Sequence, residues 1–307
     1  MLKYQLMMNR NHLFCILFLL YYSSCSQKPT KTTNSIPGLI HENYELYQVP
    51  ESEAVLVLFP GGGQRAEDIR LNFDILPKAK AAKITVLLMN FTNHLWLEDN
   101  DFELLKDQLA VVFDQHQLET KKIYFGGFSI GGNTASTLAN YLHENQTITA
   151  PEGVFMGDSP IDLYALYQSA EIDLQNPNFS EERLAEPRWI VNNFKEAFGD
   201  TSLLSKIPEV SPFTLRRKTN SVPHLKTIKL RFYTEPDPKW WKENRGTAYE
   251  QTNAYSIQQL TKMLKAQGWD RLELIETQNQ GYRSNGERHP HSWSIINIEA
   301  LINWMKE

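Results

Sequence analysis

Short runs of apolar residues alternate with longer stretches in which apolar residues recur every three or four positions. The short runs include residues 54–59 (AVLVLF), 84–89 (ITVLLM) and 122–128 (KIYFGGF), whereas residues 99–117 show the helical spacing. Continuous apolar strands are typical of parallel sheets, because crossover helices cover both faces of such a sheet. The pattern therefore predicts an α/β protein with a mainly parallel sheet flanked by helices.

The same alternation continues in the second half of the chain after an interruption. Residues 159–226 are rich in aromatic residues and mostly helical in pattern, with Ser159 as a suitable N-cap and Pro160 at the first helical position. An insertion of this length between core strands is expected to form a helical lid over the carboxyl edge of the sheet. The remaining predicted elements are strands at residues 44–49, 154–157, 228–233 and 272–276, and helices at residues 130–143, 254–266 and 292–305.

The N-terminal segment, residues 1–24, differs from the rest of the chain. Lys3 and Arg10 precede a ten-residue apolar run at residues 13–22. Such a run is too short for a membrane-spanning helix but suits the central part of a secretory signal peptide. The sequence therefore predicts an exported protein.

The residues around Cys25 resemble a bacterial lipobox, because small residues directly precede the cysteine. Tyr22 departs from the usual aliphatic residue, so cleavage by an ordinary signal peptidase stays open. Lipidation of Cys25 would leave residues 25–36 as a flexible tether and residues 37–307 as the folded domain, anchored on the periplasmic or cell-surface side. Because Cys15 would leave with the signal peptide, we expect no internal disulfide.

Composition and charge narrow the classes of function. The chain is 41% hydrophobic, which allows a sizeable core, and its formal net charge is -5. Lysine and arginine are not gathered into a basic stripe, which a nucleic-acid-binding protein would need to neutralise phosphates. We therefore expect no nucleic-acid partner.

Residues 127–131 (GFSIG) match the G-x-S-x-G pattern. A predicted strand leads into the motif and a predicted helix leaves it, which would put Ser129 on a sharp turn. Glycines at 126, 127, 131 and 132 would let strand and helix approach closely. A glycine-rich phosphate or cofactor turn is the alternative, but it is expected after the first strand of a domain, and at least two predicted strands precede this one. The context favours Ser129 as a nucleophile.

Three consecutive glycines follow the strand at residues 54–59, within the sequence PGGGQ at residues 60–64. Glycines let backbone N–H groups approach a substrate, and two such groups are needed to hold the oxyanion of an acyl transfer. The predicted donors are Ile130, directly after the serine, and Gly62, with Gly63 close behind.

A serine hydroxyl needs a base to take its proton and an acid to hold that base. Among the histidines, only His289 and His291 follow the last predicted strand. Three carboxylates, Asp158, Glu235 and Asp237, lie shortly after predicted strands. The two histidines are two positions apart with no third ligand at a recognisable spacing, so we expect no metal site. No cofactor motif appears in the sequence, so we expect no cofactor.

The glycine loop, the serine motif, a late aspartate and a terminal histidine, in that chain order, resemble the α/β-hydrolase superfamily, in its esterase-like branch. The resemblance extends over roughly residues 44–307 and excludes the insertion. It implies that His291 is the base, with His289 as the second choice. It also implies Asp237 as the acid, about four residues beyond its strand, while Glu235 and Asp158 stay open.

The resemblance further implies hydrolysis of an ester or amide bond by a Ser-His-Asp acyl-enzyme mechanism. Ser129 would attack the carbonyl, Gly62 and Ile130 would hold the oxyanion, and His291 would protonate the leaving group. The expected substrate is a small-molecule ester or an acylated carbohydrate. A peptidase or acyltransferase with the same triad, and a non-catalytic binding lipoprotein with this fold, are the alternatives.

Overall fold

The computed structural model describes residues 38–92, 94–119 and 121–307. The predicted signal peptide at residues 1–24, the lipidation candidate Cys25 and the predicted tether at residues 25–36 lie outside the described residues. In the part of the chain that is described, no helix is both long and apolar enough to cross a membrane.

The strands form one large sheet and one small one. Their bounds are β1 (Leu39–His41), β2 (Tyr44–Tyr47), β3 (Ala54–Phe59), β4 (Ile84–Met89), β5 (Lys122–Phe128), β6 (Gly153–Gly157), β7 (Phe213–Thr214), β8 (Thr219–Asn220), β9 (Lys229–Thr234) and β10 (Leu272–Glu276). The large sheet has the order β1-β2-β4-β3-β5-β6-β9-β10, and β7 pairs with β8 separately. Only β2 runs against its two neighbours in the large sheet, and the pairs from β4 to β10 are parallel. The predicted mainly parallel sheet is confirmed.

Helices cover both faces of this sheet. Their bounds are α1 (Ala66–Asn72), α2 (Ile75–Ala81), α3 (Asp99–His116), α4 (Ile130–Glu144), α5 (Leu163–Leu174), α6 (Glu181–Val210), α7 (Pro238–Arg245), α8 (Asn253–Ala266) and α9 (Ile298–Lys306). The apolar sides of α3, α4 and α8 pack on one face, together with Val55 and Val57. Those of α1, α2 and α9 pack on the other, together with Leu56 and Leu58. The alternation along β3 explains why its sequence is apolar at every position.

Several strand bounds agree with the sequence pattern. The strands β3, β4, β5 and β10 have the predicted bounds. The short helices α1, α2 and α7 were not predicted, because seven or eight residues make only about two turns and show little periodicity. The last helix was predicted at residues 292–305 but begins at Ile298, because the side chain of Asn297 caps it by accepting a hydrogen bond from the Ala300 N–H.

The insertion lies between β6 and β9 and contains α5 and α6. Its first helix begins at Leu163, not after Ser159, because the buried Asp162 is the N-cap and its carboxylate accepts hydrogen bonds from the N–H groups of Tyr164 and Ala165. The prediction that Ser159 caps this helix is therefore wrong. Its neighbour α6 is kinked at Gly199, where φ is 65°.

The two insertion helices share a small apolar cluster, which the sequence did not indicate. Phe194 and Ile207 of α6 are fully buried against α5, and the cluster also includes Ile130, the residue after Ser129. Packing therefore joins the insertion directly to the start of α4. Its role as a lid stays a prediction.

Candidate active site

Ser129 lies on a crowded turn between β5 and α4. Its backbone has φ 54° and ψ -131°, a combination that costs a non-glycine residue energy. A Cβ atom at Gly127 would lie 2.2 Å from the backbone of Gly131, and one at Gly131 would lie 2.3 Å from the carbonyl oxygen of Pro60. Both positions therefore require glycine, because strand, helix and glycine loop approach one another there. This is the turn that the G-x-S-x-G motif predicted.

The glycine loop lies beside the residue that follows the serine. The Gly61 N–H donates to Oε1 of Gln64 at 3.2 Å, so it is already used within the loop. A Cβ atom at Gly62 would lie 3.4 Å from Cδ1 of Ile130, which places the two predicted oxyanion donors side by side. Ile130 is the first residue of α4, and the first N–H groups of a helix have no intrahelical acceptor. Gly62 and the Ile130 side chain are therefore neighbours at the start of α4, and the role of both residues as oxyanion donors stays a prediction.

The imidazole of His291 is held by a buried carboxylate. Its Nδ1 lies 2.6 Å from Oδ2 of Asp158, whose side chain is only 6% exposed. The second oxygen of Asp158 accepts a hydrogen bond of 2.6 Å from Oγ1 of Thr234, which fixes the carboxylate plane. On the other side, the ring of Phe128 packs against the imidazole with 4.4 Å between ring centroids. A carboxylate on Nδ1 leaves Nε2 available for proton transfer.

Strand pairing brings this carboxylate to the serine. Asp158 directly follows β6, the neighbour of β5, and the Ser129 N–H donates to the carbonyl oxygen of Gly157 at 2.8 Å. On its other side, the Asp158 N–H donates to Tyr233 of β9 at 2.8 Å. The carboxyl ends of three adjacent parallel strands thus hold the nucleophile candidate, the acid and its threonine partner.

Ser129 and His291 line one cavity of about 570 Å³. This volume lies in the range typical of small-molecule sites. Gly62 and Ile130 line the same cavity, and the insertion contributes Ile190 from α6. The arrangement can therefore enclose a small substrate beside the serine.

Comparison with known proteins identifies the fold of the chain. No protein-family model matches the chain, and no curated protein matches it. A mutant of the esterase E40 matches with a TM-score of 0.53 at 18% identity, over 86% of this chain and 79% of that one. An esterase/lipase from an uncultured bacterium matches with a TM-score of 0.52 at 12% identity, over 90% and 86%. Carboxyl esterase 2 from Tuber melanosporum matches with a TM-score of 0.51 at 16% identity, over 93% and 87%. The chain has the α/β-hydrolase fold.

In this α/β-hydrolase fold, the expected acid Asp237 does not contact the histidine. Its carboxylate caps α7 by accepting from the Trp240 N–H at 3.0 Å, and it pairs with Arg288 at 2.7 Å. These contacts hold it at the start of α7, three residues after the end of β9. The structure instead brings Asp158 to His291, which corrects the choice of Asp237 as the partner of the base.

Glu235, the second choice for the acid, belongs to a buried network that holds the loop before His291. Its carboxylate accepts from Oγ1 of Thr277 and from the N–H groups of Gln280 and Gly281, and it pairs with Arg288 at 2.6 Å. Four donors on one carboxylate fix the loop after β10. Glu235 therefore has a structural role that the sequence did not indicate.

His289, the second choice for the base, is buried against aromatic rings. It is 4% exposed, and its ring contacts those of Trp240 and Trp241 at centroid distances of 4.7 and 5.6 Å. Its Nδ1 accepts a hydrogen bond of 3.2 Å from the backbone N–H of His291. Burial first, and then the positive charges around it, lower its pKa to about 3. His289 therefore holds the neighbouring histidine in place. Both residues lie in the loop before the last helix, which begins at Ile298.

The sequence contained a signal for Asp158 but none for Thr234. An aspartate directly after the strand next to the nucleophile strand is a recognisable position for an acid. A threonine at the end of β9 is ordinary strand composition. Thr234 can donate a hydrogen bond to Asp158 only because β9 lies beside β6 in the sheet.

Acidification should destabilise the protein through His289. Above pH 6.5 its imidazole is neutral in the folded and unfolded chains and adds no pH dependence. Between pH 6.5 and about 3, the unfolded chain binds a proton that the folded chain does not. The free energy of unfolding therefore falls with falling pH, by at most about 1.4 kcal/mol per pH unit from this group. We expect a shallower fall in His289→Gln, measured by urea denaturation from pH 7 to pH 4.

His116→Gln is the matched control for that measurement, because His116 is the last residue of α3 and lies outside the cavity. Its profile should follow the unsubstituted protein. Equal slopes for His289→Gln and the unsubstituted protein would show that His289 does not contribute.

Proposed function

We propose that this protein is a serine hydrolase that cleaves ester bonds, with Ser129, His291 and Asp158 as its catalytic triad. The observation that carries the proposal is the 2.6 Å contact between the imidazole and the buried carboxylate. That pair lies in the same cavity as a serine on a strained strand-to-helix turn. Such a constellation is recognised by its geometry and roles.

The mechanism follows from these positions. Nε2 of His291 takes the proton of the Ser129 hydroxyl as Oγ attacks the ester carbonyl, and Asp158 stabilises the imidazolium that forms. The N–H groups of Ile130 and Gly62 donate to the oxyanion of the tetrahedral intermediate. The imidazolium then protonates the departing alcohol, which leaves an acyl-serine. Water, deprotonated by the same histidine, attacks the acyl group and releases the acid.

Ester cleavage is the favoured reaction because the matching structures are named as esterases. A small-molecule ester or an acylated carbohydrate is the proposed substrate class, and no nucleic-acid, metal or cofactor partner is proposed. A peptidase or acyltransferase would use the same three residues. A non-catalytic binding protein would not need a buried carboxylate to orient His291.

A fluorophosphonate probe tests the enzyme class. It should label the protein at Ser129, because an activated serine attacks the probe phosphorus, and labelling should disappear in Ser129→Ala. Hydrolysis of a short p-nitrophenyl ester should fall by about 10⁴-fold or more in the same variant. In-gel fluorescence and absorbance at the nitrophenolate band are the measurements.

Ser205→Ala is the control for this experiment, because Ser205 is an exposed residue of α6 outside the cavity. It should keep both labelling and turnover. A folded protein that neither labels nor hydrolyses the ester would contradict the proposal and favour a binding role.

Two amide substitutions decide the identity of the acid. Asp158→Asn should lower kcat by about 10⁴-fold, because an amide cannot stabilise the imidazolium and can impose the wrong tautomer on His291. Asp237→Asn should keep most of kcat, since Asp237 bonds to Arg288 and the start of α7 instead. Steady-state kinetics on protein quantified by circular dichroism provides the comparison. The opposite pattern would restore Asp237 as the acid.

We further propose that the protein is exported and anchored through a lipid on Cys25, from the apolar run and small residues that precede it. The full chain, expressed in bacteria with radiolabelled palmitate, should incorporate label. Cys25→Ser should lose the label, because the acylated thiol is gone, and Cys15→Ser is the matched control that should keep it. Unlabelled parent protein, or label retained in Cys25→Ser, would contradict anchoring at this cysteine.

A further inference from the structure

One cationic side chain in the active-site cavity has no charge partner. Arg245, the last residue of α7, lines the cavity together with Ser129 and His291. Within the described part of the chain, its guanidinium has a single contact of hydrogen-bond length, in which Nη2 lies 3.2 Å from Nε2 of His289. A guanidinium has five N–H donors, so nearly all of its capacity is unused by the protein.

The contact with His289 does not satisfy Arg245 either. Nδ1 of His289 already accepts the His291 N–H at 3.2 Å. A neutral imidazole has one acceptor nitrogen, so Nε2 carries the hydrogen. Because the pKa of His289 is lowered to about 3, the ring is neutral near pH 7. Two donors, one of them charged, therefore face each other in the wall of the cavity.

The other arginines of the cavity have carboxylate partners. The pairs are Arg183 with Asp173 at 2.7 Å and Arg283 with Glu287 at 3.8 Å. Arg245 is thus the cation of this lining whose charge the described residues leave unbalanced. An unpaired charge at a partly buried position is unfavourable unless a ligand or water compensates it.

The position of Arg245 relates it to the reacting groups. It contacts His289, whose ring Nδ1 accepts a hydrogen bond from the backbone N–H of His291.

The cavity lining contains two acidic residues. Asp173 is paired with Arg183, and Glu186 is exposed on α6. Solvent therefore screens Glu186 more than it screens Arg245.

We propose that the cavity binds esters that carry a carboxylate, and that Arg245 binds this carboxylate next to the reacting serine and histidine. A carboxylate oxygen can accept from the guanidinium and from Nε2–H of His289, the two donors that otherwise face each other. The planar fork of an arginine matches the two oxygens of a carboxylate. This inference rests on the proposed hydrolase function and adds the substrate class.

Two pairs of probe esters test the inference and locate the carboxylate. The acyl-side pair is mono-p-nitrophenyl glutarate and its neutral analogue in which an isopropyl group replaces the carboxylate. The alcohol-side pair is p-acetoxybenzoate and p-isopropylphenyl acetate. Each is assayed as kcat/KM after subtraction of the uncatalysed rate, because a carboxylate can assist its own hydrolysis in solution. The quantity compared between proteins is the ratio of anionic to neutral ester within a pair.

For at least one pair, Arg245→Gln should lower this ratio by about tenfold to a hundredfold, the usual value of a charge-assisted hydrogen bond. The loss should fall mainly on the anionic ester, and Arg245→Lys should recover part of it because the charge returns without the fork. Lys242→Gln is the matched control, since Lys242 is an exposed cation on the same helix outside the cavity. It should leave the ratio unchanged.

The outcomes separate this inference from the proposed function. Turnover of the neutral esters with ratios that Arg245→Gln does not change for either pair would overturn the carboxylate site and leave the hydrolase intact. A similar loss in Lys242→Gln would also overturn it, because the effect would then be one of overall charge. No turnover of any probe, together with no fluorophosphonate labelling, would contradict the hydrolase and the carboxylate site with it.

Discussion

The close approach of β5, α4 and the glycine loop at Ser129 is the constraint on which the rest of the site depends. Gly127 and Gly131 are in contact across the turn, and Gly131 also touches the backbone of Pro60, so a single methyl group at either glycine would collide with main-chain atoms. This crowding holds Ser129 at a positive φ, a strained conformation that costs on the order of 1–3 kcal/mol. The buried sheet supplies the rigidity that keeps the strained turn in place.

The sheet that holds the serine also assembles its partners. Parallel strands end at the same edge, and β5, β6 and β9 are neighbours there. Ser129 and Asp158 directly follow β5 and β6, and Thr234 is the last residue of β9. Only the histidine comes from a loop, and that loop is fixed by buried hydrogen bonds to Glu235 and by the packing of His289. A segment without regular secondary structure thus acquires a defined position from buried hydrogen bonds and ring packing.

His289 and His291 lie only two residues apart but have different surroundings. His291 has a buried carboxylate on Nδ1, whereas His289 has tryptophan rings around it and an arginine beside its Nε2. Burial among aromatic rings and cations keeps His289 neutral, which suits a residue that holds the loop. His289 also contacts the guanidinium of Arg245, so the residue that accepts the hydrogen bond from the His291 N–H also lies against a cation that lines the cavity.

By itself, the sequence determined the mainly parallel sheet and the sharp turn at Ser129, and it indicated His291 as the candidate base. Buried parallel strands need continuous apolar runs, and a turn as tight as that at Ser129 needs glycines at fixed spacings, so both are visible in local patterns. The tertiary structure alone decided which carboxylate contacts His291 and which arginines of the cavity have carboxylate partners. Asp158, Glu235 and Asp237 all follow strands, and no local pattern distinguishes them. The order of strands in the sheet puts Asp158 beside the serine strand, while an arginine from a distant loop holds Asp237 elsewhere. Likewise, Arg245 ends α7, a short helix that the sequence pattern did not predict. Only long-range packing brings it beside His289 and leaves it without a carboxylate partner among the described residues.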